Sequence, residues 1–219
     1  MRKFIDHTLL KPFATEDDIK KLCNEAIENS FFSVCVNPTY VKLASDLLNS
    51  SEVKVCAVVG FPLGATTKIV KLYEAQECIR LGAHEIDMVI NIGKLKDGKY
   101  SEVENEIKEI KAAIGSKTLK VIIETCFLTN EEKVRACQAA VSAGADFVKT
   151  STGFGTDGAN FEDVRLMIAT VDGRAKVKAS GGIKDYETAE KYVDMGVQRL
   201  GTSSGIKILT GKIVEENEY

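Results

Sequence analysis

Leu119-Lys-Val-Ile-Ile-Glu-Thr125 is followed by the helix-starting signature Thr129-Asn-Glu-Glu132 and then by Asp146-Phe-Val-Lys-Thr-Ser151. The two outer runs are short and rich in β-branched residues, the mark of strands, whereas the segment between them has helical period. Threonine followed three residues later by glutamate is a capping-box pattern, in which each side chain satisfies the other residue's backbone N–H at a helix start. A strand, a crossover helix and a second strand make one unit of a parallel sheet. The same unit recurs in both directions along the chain. Strand-like runs are Phe4–Thr8, Phe31–Asn37, Lys54–Gly60, His84–Asn91, Leu119–Thr125, Asp146–Ser151, Ala175–Ser180 and Gln198–Thr202, eight in all, with starts 23 to 35 residues apart. Thr15-Glu-Asp-Asp18 and Ser101-Glu-Val-Glu104 supply further capping-box-like helix starts. Eight strand–helix units with no compositional break predict an α/β fold, a single-domain (β/α)8 TIM barrel over residues 1–219. An open doubly wound sheet would carry Gly-x-Gly-x-x-Gly after its first strand, and none stands there. Within the tail 212–219, Glu215-Glu-Asn-Glu-Tyr219 reads as solvated.

The chain has 219 residues, 44% of them hydrophobic, with 29 Lys and Arg against 32 Asp and Glu for a formal net charge of −3. Its basic residues are scattered, which excludes the basic stripe of a nucleic-acid-binding surface. No run approaches the roughly 18 apolar residues of a membrane span, and Met1-Arg-Lys-Phe-Ile-Asp-His7 lacks the apolar region of a signal peptide. The six cysteines, Cys23, Cys35, Cys56, Cys78, Cys126 and Cys137, form no Cys-x-x-Cys pair and sit in apolar segments. They read as buried free thiols and predict a cytoplasmic protein. With only His7 and His84 present, a zinc site built on several histidines is excluded by counting, and both histidines read as hydrogen-bonded structural residues. Chemistry therefore falls to Lys, Asp, Glu, Ser, Thr, Cys or Tyr.

Strand parity assigns faces, because successive side chains point to opposite sides. In Glu85-Ile-Asp-Met-Val-Ile-Asn91 the apolar Ile86, Met88 and Ile90 face the helices, leaving Glu85, Asp87 and Asn91 inward. Phe147-Val-Lys-Thr-Ser151 turns Lys149 inward, and Lys176-Val-Lys-Ala-Ser180 does the same with Lys178. Asp6 and Thr8 share the parity of Phe4 and either line the barrel mouth or join a buried polar network. Lysines alternating with valines also occur on solvated edge strands, but a parallel barrel covers both strand faces. Two ammonium groups about 4.8 Å apart on neighbouring strands repel, so one should lose its proton more readily and become a nucleophile for carbonyl compounds. Asp87 can then move protons. Parity does not say which lysine is the nucleophile. Gly153, Gly181, Gly182 and Gly201, with Ser203 and Ser204, gather after the late strands, where barrels build phosphate sites. Any one of these glycines fits turn geometry; three clusters on consecutive strands point to phosphate, with a helix starting near Ser203 directing its positive end at the anion.

Phe4-Ile-Asp-His-Thr-Leu-Leu-Lys11, Val59-Gly-Phe-Pro-Leu-Gly64, Glu85-Ile-Asp-Met-Val-Ile-Asn-Ile-Gly93, Phe147-Val-Lys-Thr-Ser-Thr-Gly153 and Val177-Lys-Ala-Ser-Gly-Gly182 resemble the deoxyribose-phosphate aldolase family. The resemblance runs from residue 4 to about residue 205. It implies a metal-free and cofactor-free class I aldolase that reversibly cleaves 2-deoxy-D-ribose 5-phosphate to D-glyceraldehyde 3-phosphate and acetaldehyde in deoxynucleoside breakdown. Carried over by motif, Lys149 forms the Schiff base, Lys178 lowers its pKa and Asp87 donates and accepts protons. Phosphate falls to Gly153, Gly181, Gly182, Gly201, Ser203 and Ser204. Phe154 stands where some relatives carry a basic residue, with Lys184 as the substitute charge. Cys35 is placed near the bound aldehyde or is a small buried hydrophobe, and Tyr219 matches a terminal tyrosine of some relatives. The family also implies a homo-oligomer, dimer or tetramer, and no membrane or nucleic-acid partner. The rival readings are another Schiff-base sugar-phosphate aldolase or transaldolase, and a phosphate-binding barrel without catalysis.

Overall fold

The computed structural model describes residues 1–211, so the expectations for the tail 212–219 and Tyr219 lie outside the described residues. The strands are β1 (Ile5–Leu9), β2 (Ser33–Val36), β3 (Lys54–Val59), β4 (Glu85–Val89), β5 (Thr118–Ile122), β6 (Phe147–Lys149), β7 (Lys176–Ser180) and β8 (Arg199–Thr202). Between and after them run α1 (Glu16–Glu28), α2 (Val41–Leu48), α3 (Lys68–Arg80), α4 (Ile92–Lys96), α5 (Tyr100–Ile114), α6 (Asn130–Ser142), α7 (Phe161–Val171), α8 (Tyr186–Asp194) and α9 (Gly205–Thr210). The strands pair in chain order and β8 pairs back to β1, all parallel, closing the predicted barrel.

Capping starts two of the helices where the sequence places them. Thr15 and Thr129 each accept from the backbone N–H three residues on, while Asp18 and Glu132 reach back to the capping N–H. Ser101 does not act this way. The start of α5 lies at Tyr100 behind Lys99, whose N–H is held by the Lys94 carbonyl, so the end of α4 sets the boundary. Phe4 is a second departure: it sits in a 3-10 turn, Arg2–Phe4, and packs against the helix-side core instead of pointing inward. Asn91 ends up as the N-cap of α4, accepting from Lys94 N–H, and not on the inner barrel wall.

The two strand faces bury different things. Outward residues such as Val34, Val55, Ile86, Met88, Val121, Val148, Val177 and Leu200 join buried helix residues, including Ile19, Ile107 and Val164, in one continuous apolar layer. Each such side chain contributes about 1.5–3 kcal/mol by leaving water. The interior instead carries the charged residues, together with the buried Val89, Ile122 and Phe147 of the same strand parity and a small apolar cluster of Leu10, Cys35, Cys56 and Val58 with Phe61 against it. Thus helix packing supplies the driving force and leaves the strand interior free for chemistry. Cys126 is only half-buried, a correction to the reading of all six thiols as buried. No helix among the described residues is long and apolar enough to cross a membrane.

Gly64 shows how closely the loop above β3 meets the loop above β4. It has φ +64°, and a Cβ there would lie 1.9 Å from the Ile90 carbonyl oxygen. Gly98 has φ +73° but faces open space. Gly64→Ala should therefore lose more than about 3 kcal/mol of unfolding free energy, and Gly98→Ala about 1 kcal/mol, since only the first combines strain with a backbone clash. Urea denaturation of both variants checks this; equal losses would contradict the packing assigned to Gly64.

Candidate active site

Inward-facing side chains of six strands meet in one buried charge layer. Asp87 stands at its centre: Oδ2 accepts from Lys149 Nζ at 2.8 Å and from Lys178 Nζ at 2.8 Å. Its Oδ1 accepts from Lys120 Nζ at 2.8 Å and from the Cys56 thiol at 3.0 Å. Register explains the convergence. Asp87 lies beside Lys120 across β4 and β5, and Lys149 lies beside Lys178 across β6 and β7. Lys178 also reaches Asp6 at 2.5 Å, and Lys120 reaches Glu85 at 2.6 Å. Arg199 closes the floor, bound to Asp6 at 2.7 Å and to Glu85 at 3.1 Å, with its guanidinium 3.4 Å from the centre of the Phe32 ring.

Electrostatics follow from this pairing. Burial by itself would raise the Asp87 carboxyl, but the ammonium groups of Lys120, Lys149 and Lys178 outweigh it and hold the carboxyl well below the usual range. Asp6 is likewise held down against burial by Lys178, Arg199 and Lys120. Burial would lower Lys178, yet Asp6 and Asp87 push it above the ordinary lysine value. Asp6 and Asp87 thus favour the charged form of Lys178. This corrects the picture of two lysines in bare mutual repulsion, because Asp87 lies between them. The layer holds four cations, Lys120, Lys149, Lys178 and Arg199, and three carboxylates, Asp6, Glu85 and Asp87. By formal charge the layer holds one cation in excess. Among these lysines Lys149 has the fewest carboxylate partners, one against two for Lys178, and it alone lines the cleft.

That cleft, about 360 Å³, opens at the C-terminal ends of the strands. Lys149 is at its base, and Gly153, Gly181, Gly182, Gly201, Ser203 and Ser204 all line it. Gly201 has no side chain for a reason visible here: a Cβ would lie 2.9 Å from Ser180 Cβ and 3.0 Å from Lys178 Cε. The final helix begins at Gly205 behind its N-cap Ser204, near Ser203 as expected, and has six residues. The Thr152–Phe154 lip is anchored to Glu124, which sits at φ 53° and accepts from Thr152 N–H at 3.2 Å and from the Thr152 hydroxyl. Burial raises the Glu124 carboxyl despite those bonds. Phe154 packs edge-on against Phe61 at 5.3 Å, and Lys184 also lines the cleft. His7 bonds Glu25 at 2.7 Å and His84 accepts from Val55 N–H at 3.2 Å, as structural histidines do.

The sequence pattern of the DeoC/LacD family of aldolases matches residues 1–211. The chain belongs to that family. Among DeoC/LacD relatives, it is 59% identical over 219 residues to the deoxyribose-phosphate aldolase of Carboxydothermus hydrogenoformans, covering 98% of this chain and 96% of that one. With the deoxyribose-phosphate aldolase of Thermococcus gammatolerans it shares 56% identity over 95% of each chain. The solved aldolase QR15 superposes with a TM-score of 0.91 at 48% identity, covering 94% of this chain and 93% of that one. The Aeropyrum pernix deoxyribose-phosphate aldolase, described as tetrameric, gives 0.86 at 36% identity over 95% and 88% of the two chains. Membership makes the chain an aldolase-family enzyme.

Lys120, Arg199 and Cys56 were missed at the level of sequence. Lys120 shares inward parity with Ile122 and Glu124, so its direction was readable; its three carboxylate neighbours come from other strands. Removing Lys120 strands Glu85 and Asp87 without their shared cation. Because Asp87 has a depressed folded pKa, its stabilising effect is present above about pH 4, where unfolded Asp is ionised, and is lost as pH falls. Lys120→Met should thus cost about 3–5 kcal/mol at pH 7, with a smaller gap to wild type at pH 3, in paired urea denaturations. A gap that is constant with pH would contradict the ion-pair assignment.

Proposed function

We propose that this enzyme reversibly cleaves 2-deoxy-D-ribose 5-phosphate to acetaldehyde and D-glyceraldehyde 3-phosphate, with Lys149 as the Schiff-base nucleophile. The observation that carries this reading is the placement of Lys149: a lysine at the base of the cleft, bound to one carboxylate oxygen, in a layer with one cation in excess. High identity to deoxyribose-phosphate aldolases over nearly the whole chain supports the substrate.

Neutral Lys149 attacks C1 of the open-chain sugar to form a carbinolamine, and loss of water gives the iminium. The iminium accepts the electron pair of the C2–C3 bond as that bond breaks, while the C3 hydroxyl surrenders its proton and becomes the aldehyde of glyceraldehyde 3-phosphate. The resulting enamine takes a proton at C2, and water hydrolyses the iminium to free Lys149 and acetaldehyde. Asp87 touches Lys149 and Lys178 through one oxygen, which suits it to carry protons between the nitrogen, water and substrate. Lys178, kept charged by Asp6 and Asp87, supplies a proton donor beside Lys149.

Phosphate falls to the glycine-lined end of the cleft. Backbone N–H groups around Gly181 and Gly182, the Ser203 hydroxyl and Lys184 can approach the anion there, while the Ser204 N–H is held by the Thr202 hydroxyl. We also infer a homo-oligomer; the exposed Ile69, Val70 and Tyr73 of α3 provide an apolar face suited to a second copy.

Cleavage is assayed by coupling glyceraldehyde 3-phosphate to NADH oxidation. Lys149→Leu should fall to background and Asp87→Asn by about 10²–10⁴-fold, both with native circular dichroism. Unphosphorylated 2-deoxyribose should lose roughly 100-fold in kcat/KM, the worth of two charge-assisted hydrogen bonds at about 1.5 kcal/mol each. A different sugar phosphate cleaved faster, without acetaldehyde as product, would favour the transaldolase-like reading; a folded protein inactive on the whole panel would favour the non-catalytic barrel.

A further inference from the structure

Cys35 on β2 and Cys56 on β3 are direct register partners on neighbouring parallel strands, and both are fully buried inside the barrel. Their sulfurs and an Asp87 carboxylate oxygen all lie within 4.8 Å of one another. Neighbouring strands are about 4.8 Å apart, inside the Cα separation of about 4.4–6.8 Å that a disulfide spans. Cys35 also differs in kind from the helix-borne thiols. Burial pushes Cys23 up to about 11 and Cys78 and Cys137 to about 12, which makes them inert. Cys35 is instead drawn below the ordinary thiol value, first by the adjoining Cys56 side chain and also by the ammonium groups of Lys178 and Lys149, against burial and the Asp87 carboxylate. Cys56, raised by burial and by Cys35, keeps its proton. The pair thus contains one sulfur inclined to attack and one placed to resolve.

Access follows the substrate route. Thr8, the register partner of Cys35 in β1, and Leu10, packed beside Cys35, both line the cleft. A molecule smaller than the aldehydes that must reach Lys149 can take the same path. A thiophilic metal ion is a poor occupant of the same three groups, because the Lys120 ammonium is already 2.8 Å from Asp87 and 3.4 Å from the Cys56 sulfur.

We propose that Cys35 and Cys56 form a modification site, at which hydrogen peroxide closes a disulfide across β2 and β3 and switches off the chemistry at Lys149. In the first step the Cys35 thiolate attacks one peroxide oxygen; the O–O bond breaks, Cys35 becomes a sulfenic acid and the departing hydroxide takes up a proton as water. In the second, the Cys56 sulfur attacks the Cys35 sulfur, the S–O bond breaks, and the leaving hydroxide combines with the Cys56 proton. Two thiols are oxidised to one disulfide, and one peroxide is reduced to two waters. The consequence lies at Asp87: the Cys56 S–H that donates to Oδ1 at 3.0 Å no longer exists, so the carboxylate loses one of its four donors and its position against Lys149. The inactivation half of this inference rests on the aldolase reading, whereas the disulfide itself does not.

The test treats the reduced full-length protein with hydrogen peroxide, alkylates the remaining thiols and applies intact-mass measurement and non-reducing peptide mapping, with cleavage activity followed in parallel. Expected are four alkyl groups where the reduced, alkylated control carries six, a Cys35–Cys56 cross-linked peptide, and activity lost in step with the cross-link and regained with dithiothreitol. Cys126→Ser should behave like wild type; Cys35→Ser and Cys56→Ser should form no cross-link, and Cys35→Ser should keep its own untreated rate under peroxide. Full alkylation of both cysteines after peroxide, or added oxygen without the cross-link, would overturn the modification site. A cross-linked protein with undiminished activity would overturn the switch, and a protein inactive before treatment that still cross-links would fault the aldolase reading alone.

Discussion

The Asp87 carboxylate is the constraint on which the interior depends, because among the described residues it alone touches three buried ammonium groups, those of Lys120, Lys149 and Lys178. Two unit charges 4 Å apart interact by about 4 kcal/mol at an effective dielectric near 20, so three lysines confined without an anion would not be tolerated. Placing the carboxylate among them turns repulsion into a lattice of ion pairs, extended by Asp6, Glu85 and Arg199. Such a lattice adds little net stability compared with an apolar core, since every charge has been taken from water. Its value is position: four donors on two oxygens leave Asp87 no freedom, and Lys149 is held at the one edge that meets the cleft.

Barrel closure makes this arrangement possible at moderate expense. The outward strand faces and the helices bury the continuous apolar layer, so the interior is not needed to drive folding. The apolar patch at Leu10, Cys35, Cys56 and Val58 flanks the charges on one side, and the glycine loops after β6, β7 and β8 open the other. A small aldehyde suits the first environment and a phosphate the second. The distance along the cleft from one to the other is where a five-carbon sugar phosphate would lie with its carbonyl carbon toward Lys149.

Much of this was legible in the residues. The alternation of β-branched runs with capped amphipathic segments predicts eight strands; the run at Leu119–Thr125 overlaps β5, which starts one residue earlier, and that at Asp146–Ser151 contains β6. Parity placed Asp87, Lys149 and Lys178 inward, where they meet. It failed at Phe4 and Asn91 because a 3-10 turn and a helix cap interrupt the two-residue period there. What parity cannot supply is who stands beside whom. Repulsion between Lys149 and Lys178 is the natural expectation from two inward lysines, and only the register of β4 against β5 and the tilt of the closed sheet bring Asp87 between them. Lys120 and Arg199 were overlooked for the same reason: an inward cation acquires meaning from carboxylates contributed by strands far away in the chain, Asp6 and Arg199 being 193 residues apart.

The central claim is that Lys149, and no other lysine of the buried layer, forms the covalent bond with substrate. Incubation with acetaldehyde and borohydride, followed by intact-mass measurement and peptide mapping, addresses it most directly. The account predicts a single two-carbon adduct on Lys149, absent from Lys149→Leu. An adduct on Lys178 or Lys120, or a folded protein that traps none, would contradict it.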